Sequence, residues 1–271
     1  LAQGDSFAAT RQRAVSSLLA PADAALLSSP NNTLGIEYCR ALLQTGSNAE
    51  VFTIPRTGAG HDAAVSDAGS YSASAIRTLL AEGHREEALF RMVRAMPAAY
   101  QTEEAAGRAP VFASNCERAI LARLRSMSAA DFDTLDTGHE GAGQRLYNAS
   151  REAPSLSAIL DRAKTKRFAY ARLRRMVLWA CLGLTPASIP AHVPYLRVLA
   201  ANETGRALLG RMRKTAAVPV ITKPAAVRQL SPEAQALFRL EARGADLYAL
   251  AYPALSAAAG GTLWRQGPAM L

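Results

Sequence analysis

Cysteine, histidine and aromatic side chains are all scarce in this chain. Three cysteines, Cys39, Cys116 and Cys181, are scattered over 271 residues with no Cys-x-x-Cys pair. That spacing supports neither a disulfide framework nor a thiolate zinc site. It fits a reducing cytoplasm, with each thiol free and buried in its own apolar-periodic stretch. The four histidines, His61, His84, His139 and His192, form no His-x-His or His-x-x-x-His pair, so metal ligation has no support. No Gly-x-Ser-x-Gly elbow or Cys–His nucleophile arrangement occurs either. The longest apolar run, Met176–Leu184, falls well short of the roughly eighteen residues that a membrane-spanning helix needs. No membrane partner and no secretory signal are expected.

What the chain does have is alanine, leucine and arginine. Apolar residues make up 49% of it, enough for one large core or two smaller ones. Thirty-one Lys and Arg against twenty-two Asp and Glu leave a formal net charge of +9. Such a surplus suits a polyanionic partner such as a nucleic acid or nucleotide; a solvated, arginine-rich surface would look the same by composition.

The first eighty or so residues read as mixed elements. Ser6 can cap a helix to about Leu19, and Asn32 another to about Leu43. Val51 to Ile54 reads as a strand, followed by the loop Arg56–Thr57–Gly58–Ala59–Gly60 and a helix from Ser72–Ser74 to about Ala81. Helix, strand, glycine loop, helix is a fragment of an open α/β sheet. From 85 to 183 the pattern is almost entirely helical. A capping box at Ser128/Asp131 and a helix start at Pro154–Ser155 stand out. Over 168–184 the 100° spacing puts Leu173, Met176, Val177 and Ala180 on one face, with Arg167, Arg174 and Arg175 on the other. Beyond Pro190, a strand at Tyr195–Ala200, a helix at Asn202–Lys214 and a strand at Val218–Thr222 make a small βαβ unit. Ser231–Pro232–Glu233 then opens a long helix to about Leu250.

Four clusters can carry chemistry. Ser72 and Ser74, at a helix start with Arg77 one turn inside, are able to hold a phosphate, although serines there also serve as plain caps. Arg56 with its glycine loop lets backbone approach a ligand, but it is neither a Walker A loop nor a dinucleotide fingerprint. In Pro30–Asn31–Asn32, one Asn suffices for a cap and the other is available to a ligand or a turn. The fourth cluster is Lys164, Lys166, Arg167, Arg172, Arg174 and Arg175, with Arg162 just before. It contains no acidic residue and is interleaved with Phe168, Tyr170 and Trp179. Cations neutralise backbone phosphates and aromatic rings stack on unpaired bases, which points to RNA; a solvated charged face is the plainer reading.

The stretches SPNNTLGIEYCRALL (29–43), TIPRTGAGHDA (53–63), SASAIR (72–77), HEGAGQRL (139–146), AKTKRFAYARLRRMVLWACLGL (163–184) and PVITKP (219–224) together resemble the tRNA(Met) cytidine acetate ligase family, within the HIGH-type nucleotidyltransferase superfamily. The resemblance implies a mainly α fold with some α/β. Residues 1–84 would be the C-terminal part of a Rossmann-like nucleotidyltransferase domain, and 85–271 a helical tRNA-binding domain with a small βαβ unit. It implies a ligase in which acetate attacks the α-phosphate of ATP. The acetyl group of the resulting adenylate then passes to the wobble cytidine of elongator tRNA(Met). ATP is the implied substrate, with Mg²⁺ a compatible companion ion.

By the same resemblance, Asn32, Arg56, Ser72, Ser74 and Arg77 would hold the nucleotide, with Asn31 a lesser neighbour. Lys164, Lys166, Arg167, Arg172, Arg174 and Arg175 would face the tRNA. The family's HxGH signature is absent from these residues, so no catalytic residue is assigned. With a first residue that is Leu and not Met, the expectation is that the signature lies in an upstream segment. A non-catalytic tRNA-binding helical protein and a cofactor-forming nucleotidyltransferase are the alternatives.

Overall fold

A computed structural model describes residues 7–54, 71–135 and 140–271. By internal contacts the chain divides into one unit of residues 1–72 with 164–170, and a second of residues 73–163 with 171–271.

In the first unit, α1 (Phe7–Ser16), α2 (Pro21–Ala25) and α3 (Pro30–Thr45) are joined by polar contacts. Arg11 pairs with Glu37 at 2.9 Å, and the Gln12 amide donates to the Ala24 carbonyl at 2.8 Å. α3 begins three residues earlier than a cap at Asn32 implies. Ser29 is the N-cap and Pro30 occupies the first turn, where its fixed φ and missing N–H cost nothing. Asn32 is therefore a first-turn residue and not the cap. At the other end Gly46 adopts φ +61°, and the N–H groups of Gly46 and Ser47 bond the carbonyls of Leu43 and Leu42, a Schellman closure.

The expected strand at Val51–Ile54 does not form. These residues are irregular and exposed, because no described segment offers a ladder of N–H and C=O groups beside them.

The second unit opens with α4 (Ala73–Ala81), α5 (Arg85–Arg91) and α6 (Met96–Ala105). Its helical core is α7 (Glu117–Ser126), α8 (Ala129–Leu135), α9 (Ala142–Glu152), α10 (Leu156–Ala163) and α11 (Tyr170–Leu182). The Ser128/Asp131 box is present: the Ser128 N–H donates to the Asp131 carboxylate at 2.8 Å and the Asp131 N–H to the Ser128 hydroxyl at 3.3 Å. Those bonds hold the Asp131 carboxyl below its ordinary range. α9 packs on α8 and α10, burying Phe132, Leu146 and Ile159 completely. On α11 the buried residues are Leu173, Met176, Val177 and Ala180, the face that its periodicity marks.

The C-terminal α/β portion holds β1 (Leu196–Arg197), β2 (Ala200–Ala201), α12 (Glu203–Thr215) and β3 (Val220–Ile221), followed by α13 (Pro232–Ala249), α14 (Thr262–Arg265) and β4 (Ala269–Met270). β1 and β3 are parallel with Leu196 opposite Val220, so the βαβ unit is there. What reads as one strand is two: β2 leaves that sheet and pairs in parallel with β4. Asn202, expected inside the helix, caps it instead: its side chain accepts from the Gly205 N–H at 2.9 Å; the Ser231 hydroxyl, at the expected start of α13, accepts from the Ala234 N–H at 3.3 Å. Phe238 is the pivot of this core, between Tyr195 (ring centroids 6.4 Å apart) and Trp264 (4.7 Å).

The cysteines depart from expectation. Cys39 is exposed because no described element covers its side of α3, and Cys116 and Cys181 are only half-buried. Burial raises the pKa of both latter thiols, and Cys116 adds to the effect on Cys181. Thiolate is the reactive form, so alkylation followed by mass spectrometry at neutral pH labels Cys39 first and Cys181 last. Faster labelling at Cys181 would contradict this burial pattern.

Candidate nucleotide and nucleic-acid interface

The basic segment begins where α10 ends. Arg145 of α9 reaches across to cap that end: its Nε donates to the Ala163 carbonyl at 3.2 Å and an Nη to the Arg162 carbonyl at 3.3 Å. Guanidinium groups suit such sites because the last carbonyls of a helix are unpaired and carry partial negative charge. Arg162 itself pairs with Glu152. The chain then turns on Thr165, whose hydroxyl accepts the N–H groups of Arg167 (3.2 Å) and Phe168 (3.0 Å). Phe168 is buried while Lys164, Lys166 and Arg167 stay exposed around it. Lys164 lies 4.7 Å from the Tyr170 ring centroid and Arg167 lies 5.9 Å from that of Phe168, so the aromatics hold cations in place.

α11 starts only at Tyr170, which leaves Arg167 on the turn and not on the helix face where its spacing puts it. The cations of α11 are not equivalent. Arg172 is half-buried and paired with Glu140 at 2.6 Å, and thus ties the start of α9 to α11. Arg174 and Arg175 are both exposed, Arg174 beside an apolar cavity of about 760 Å³ that Cys116 and Cys181 also line. The Glu140–Arg172 pair and the Arg145 contacts were not assigned from sequence. Their only signal is the quoted motif, whose glycines have steric roles. Gly141 sits at φ +87° as the α9 N-cap, and a Cβ on Gly143 would lie 2.6 Å from the Phe132 carbonyl oxygen.

Much of the positive charge is structural. Arg123 donates to the Ala180 carbonyl at 2.9 Å, Arg125 to those of Ser150 and Ala153, and Arg151 to those of Arg125 and Met127. Arg85 chelates Glu104 at 2.6–2.9 Å, which keeps the Glu104 carboxyl below its ordinary range. A count of cations therefore overstates what a polyanion can reach.

Of the expected nucleotide-holding residues, Asn32 is exposed in the first turn of α3 and Ser72 directly precedes α4. Ser74 and Arg77 lie exposed on α4, and Arg56 with its glycine loop lies outside the described residues. Asn32, Ser72, Lys164, Lys166 and Arg167 share the first unit; Ser74, Arg77, Arg172, Arg174 and Arg175 belong to the second. Among the described residues no group of three or more His, Cys, Asp or Glu side chains is arranged to hold a metal, and no helix is long and apolar enough to cross a membrane.

A family model described as HIGH Nucleotidyl Transferase matches residues 1–261. The chain is 33% identical over 236 residues to the tRNA(Met) cytidine acetate ligase of Kosmotoga olearia, covering 81% of this chain and 55% of that protein. It is 34% identical over 278 residues to the protein of the same name from Syntrophotalea carbinolica, covering 94% and 64%. Among solved structures it is similar to Thermotoga maritima TmcAL in its apo form, with a TM-score of 0.91 at 25% identity over 99% of this chain and 68% of that one. The same protein bound with alpha-thio ATP superposes with a TM-score of 0.87 at 26% identity, covering 99% and 67%. The chain thus spans between about half and two-thirds of the length of these relatives.

Proposed function

We propose that this chain, which belongs to the HIGH nucleotidyl transferase family, works in an ATP-dependent reaction that acetylates the wobble cytidine of elongator tRNA(Met). The observation that carries this reading is the assignment of the Lys164–Tyr170 segment to the same compact unit as residues 1–72. Cations and aromatic rings suited to RNA thereby share a unit with Asn32 and Ser72, two of the residues suited to ATP. The names of the relatives and the alpha-thio ATP bound to one of them support the same pairing of substrates.

In this reading, residues 1–84 contribute to nucleotide binding and residues 85–271 to tRNA binding. Acetate attacks the α-phosphate of ATP; a P–O bond to pyrophosphate breaks as the bond to acetate forms. Arg56, Arg77 and the hydroxyls of Ser72 and Ser74 offset charge on the phosphates and on the departing pyrophosphate. The exocyclic amine of cytidine then attacks the acetyl carbonyl and AMP leaves, with the amine's proton lost to solvent. No covalent protein intermediate is required, and the second step is chiefly positioning.

The test is mass spectrometry of the wobble nucleoside after tRNA(Met) is incubated with full-length protein, ATP and isotopically labelled acetate. Labelled acetylcytidine is expected, and unmodified cytidine under these conditions would overturn the reading. Within it, Arg56→Ala weakens ATP binding by about tenfold, the cost of one lost charge-assisted hydrogen bond. Calorimetry reads that change, and unaltered affinity would remove Arg56 from the site.

A further inference from the structure

Over half of the chain's net positive charge lies in one short stretch of the C-terminal α/β portion. Residues 202–229 carry Arg206, Arg211, Arg213, Lys214, Lys223 and Arg228 against a single carboxylate, Glu203. Six cations less one acid leave +5 of the chain's +9. None of these cations belongs to the nucleotide-holding set or to the Lys164–Arg175 segment.

Four of them stand on α12. Its half-buried residues, Gly205, Leu209 and Met212, share one face at 100° per residue, and the helix packs on β2. Arg206, Arg211, Arg213 and Lys214 occupy the remaining circumference, and all four are exposed. Among the described residues none of the four forms an ion pair or a side-chain hydrogen bond. In that they differ from Arg123, Arg125, Arg145 and Arg151, whose guanidinium groups are spent on backbone carbonyls.

Helix stability accounts for only part of this charge. Arg213 and Lys214 sit in the last turn, where cations complement the negative end of the helix dipole. Arg206 lies near the opposite end, where a cation gains nothing from the dipole. Glu203, the one carboxylate on the helix, does not pair with it.

Spacing limits the ligand. Arg206 and Arg213 share a face two turns apart, roughly 10.5 Å along the axis. Lys214 and Arg211 lie about 80° and 140° around the helix from Arg206. Cations spread over such an area match charges repeated along a backbone better than they match one compact anion. The helix carries no aromatic residue to stack on an unpaired base, so the match is to phosphates and not to bases.

We propose that α12 is a second RNA surface, which contacts the backbone phosphates of a double-helical arm without reading its sequence. The inference rests on the reading of this chain as RNA-binding and adds to it a contact surface in the C-terminal α/β portion.

The experiment measures fluorescence anisotropy across a salt series, with full-length protein and two labelled probes: tRNA(Met) and an RNA duplex of unrelated sequence. Arg206→Gln with Arg213→Gln is expected to weaken binding of both probes on the order of tenfold near 0.1 M salt, and to reduce the slope of log affinity against log salt by about two. Arg206→Lys with Arg213→Lys keeps the charges and should keep the slope, which separates lost charge from lost structure. An unchanged slope in the Gln variant would overturn the proposal, as would a slope lost equally in the Lys variant. A loss confined to tRNA(Met) would also overturn it, because a surface that meets only phosphates cannot tell the probes apart. Phosphatidylglycerol vesicles serve as the competing polyanion; if their binding falls in the Gln variant while RNA binding does not, the surface belongs to a membrane and the proposal fails. Full-length protein that does not acetylate tRNA yet shows the expected slopes would uphold α12 while removing the ligase reading. Acetylation with an unresponsive Gln variant would do the reverse.

Discussion

Reversing Lys166 and Arg175 to glutamate lowers the affinity for tRNA(Met) on the order of fifty-fold near 0.1 M salt, and reduces the slope of log affinity against log salt by about two. The expectation follows from counterion release: each cation that neutralises a phosphate frees a bound counterion, and that gain shrinks as bulk salt rises. The choice of residues matters more than their number. Lys166 and Arg175 are exposed, and neither forms an ion pair with a described carboxylate. Arg172 is a poor probe because Glu140 holds it at 2.6 Å; its loss would take an ion-pair partner from a half-buried carboxylate. Arg174 lines an apolar cavity, so placing a carboxylate there perturbs packing as well as charge. Filter binding across a salt series separates these effects. An unchanged slope in the double variant would dismiss both positions from the RNA surface.

The largest effect on stability is expected at Phe132. Its side chain is fully buried, and its ring meets that of Tyr147 edge-on at 5.8 Å, at the junction of α8 and α9. Phe132→Ala removes the apolar contact and leaves a cavity that the surrounding helices can only partly close, costing about 3–5 kcal/mol. Urea denaturation followed by circular dichroism measures it; a loss below about 1 kcal/mol would mean that the two helices are not packed as described. Gly143→Ala probes the same contact from the other side. The added methyl would meet the Phe132 carbonyl oxygen at 2.6 Å, and backbone cannot rotate out of the way as a side chain can, so α9 must shift at a cost of about 1–3 kcal/mol.

Helix ends and buried faces were legible from residues alone because both are local. Ser128 and Ser231 cap where a short oxygen-bearing side chain precedes an apolar-periodic run, and Leu173, Met176, Val177 and Ala180 are buried at the spacing that a 3.6-residue repeat requires. The start of α3 lies three residues before a cap at Asn32 for an equally local reason: Pro30 is a better first-turn residue than either Asn is a cap. The basic run was visible as composition, but its internal division was not. Whether an arginine greets solvent, a carboxylate or a helix carbonyl depends on neighbours that are distant along the chain, as Arg145 with Ala163 and Arg172 with Glu140 demonstrate.

The amino-acid order by itself determined most helical elements, the presence of a βαβ unit and the arginine surplus, since each of these follows from local periodicity, capping and charge. Tertiary structure alone decided that Val51–Ile54 pairs with no strand among the described residues, that Ala200–Ala201 joins Ala269–Met270, and that Arg77 and Tyr248 line one cavity. A strand needs a neighbouring ladder and a cavity needs several walls, and both are supplied by segments that only folding brings side by side.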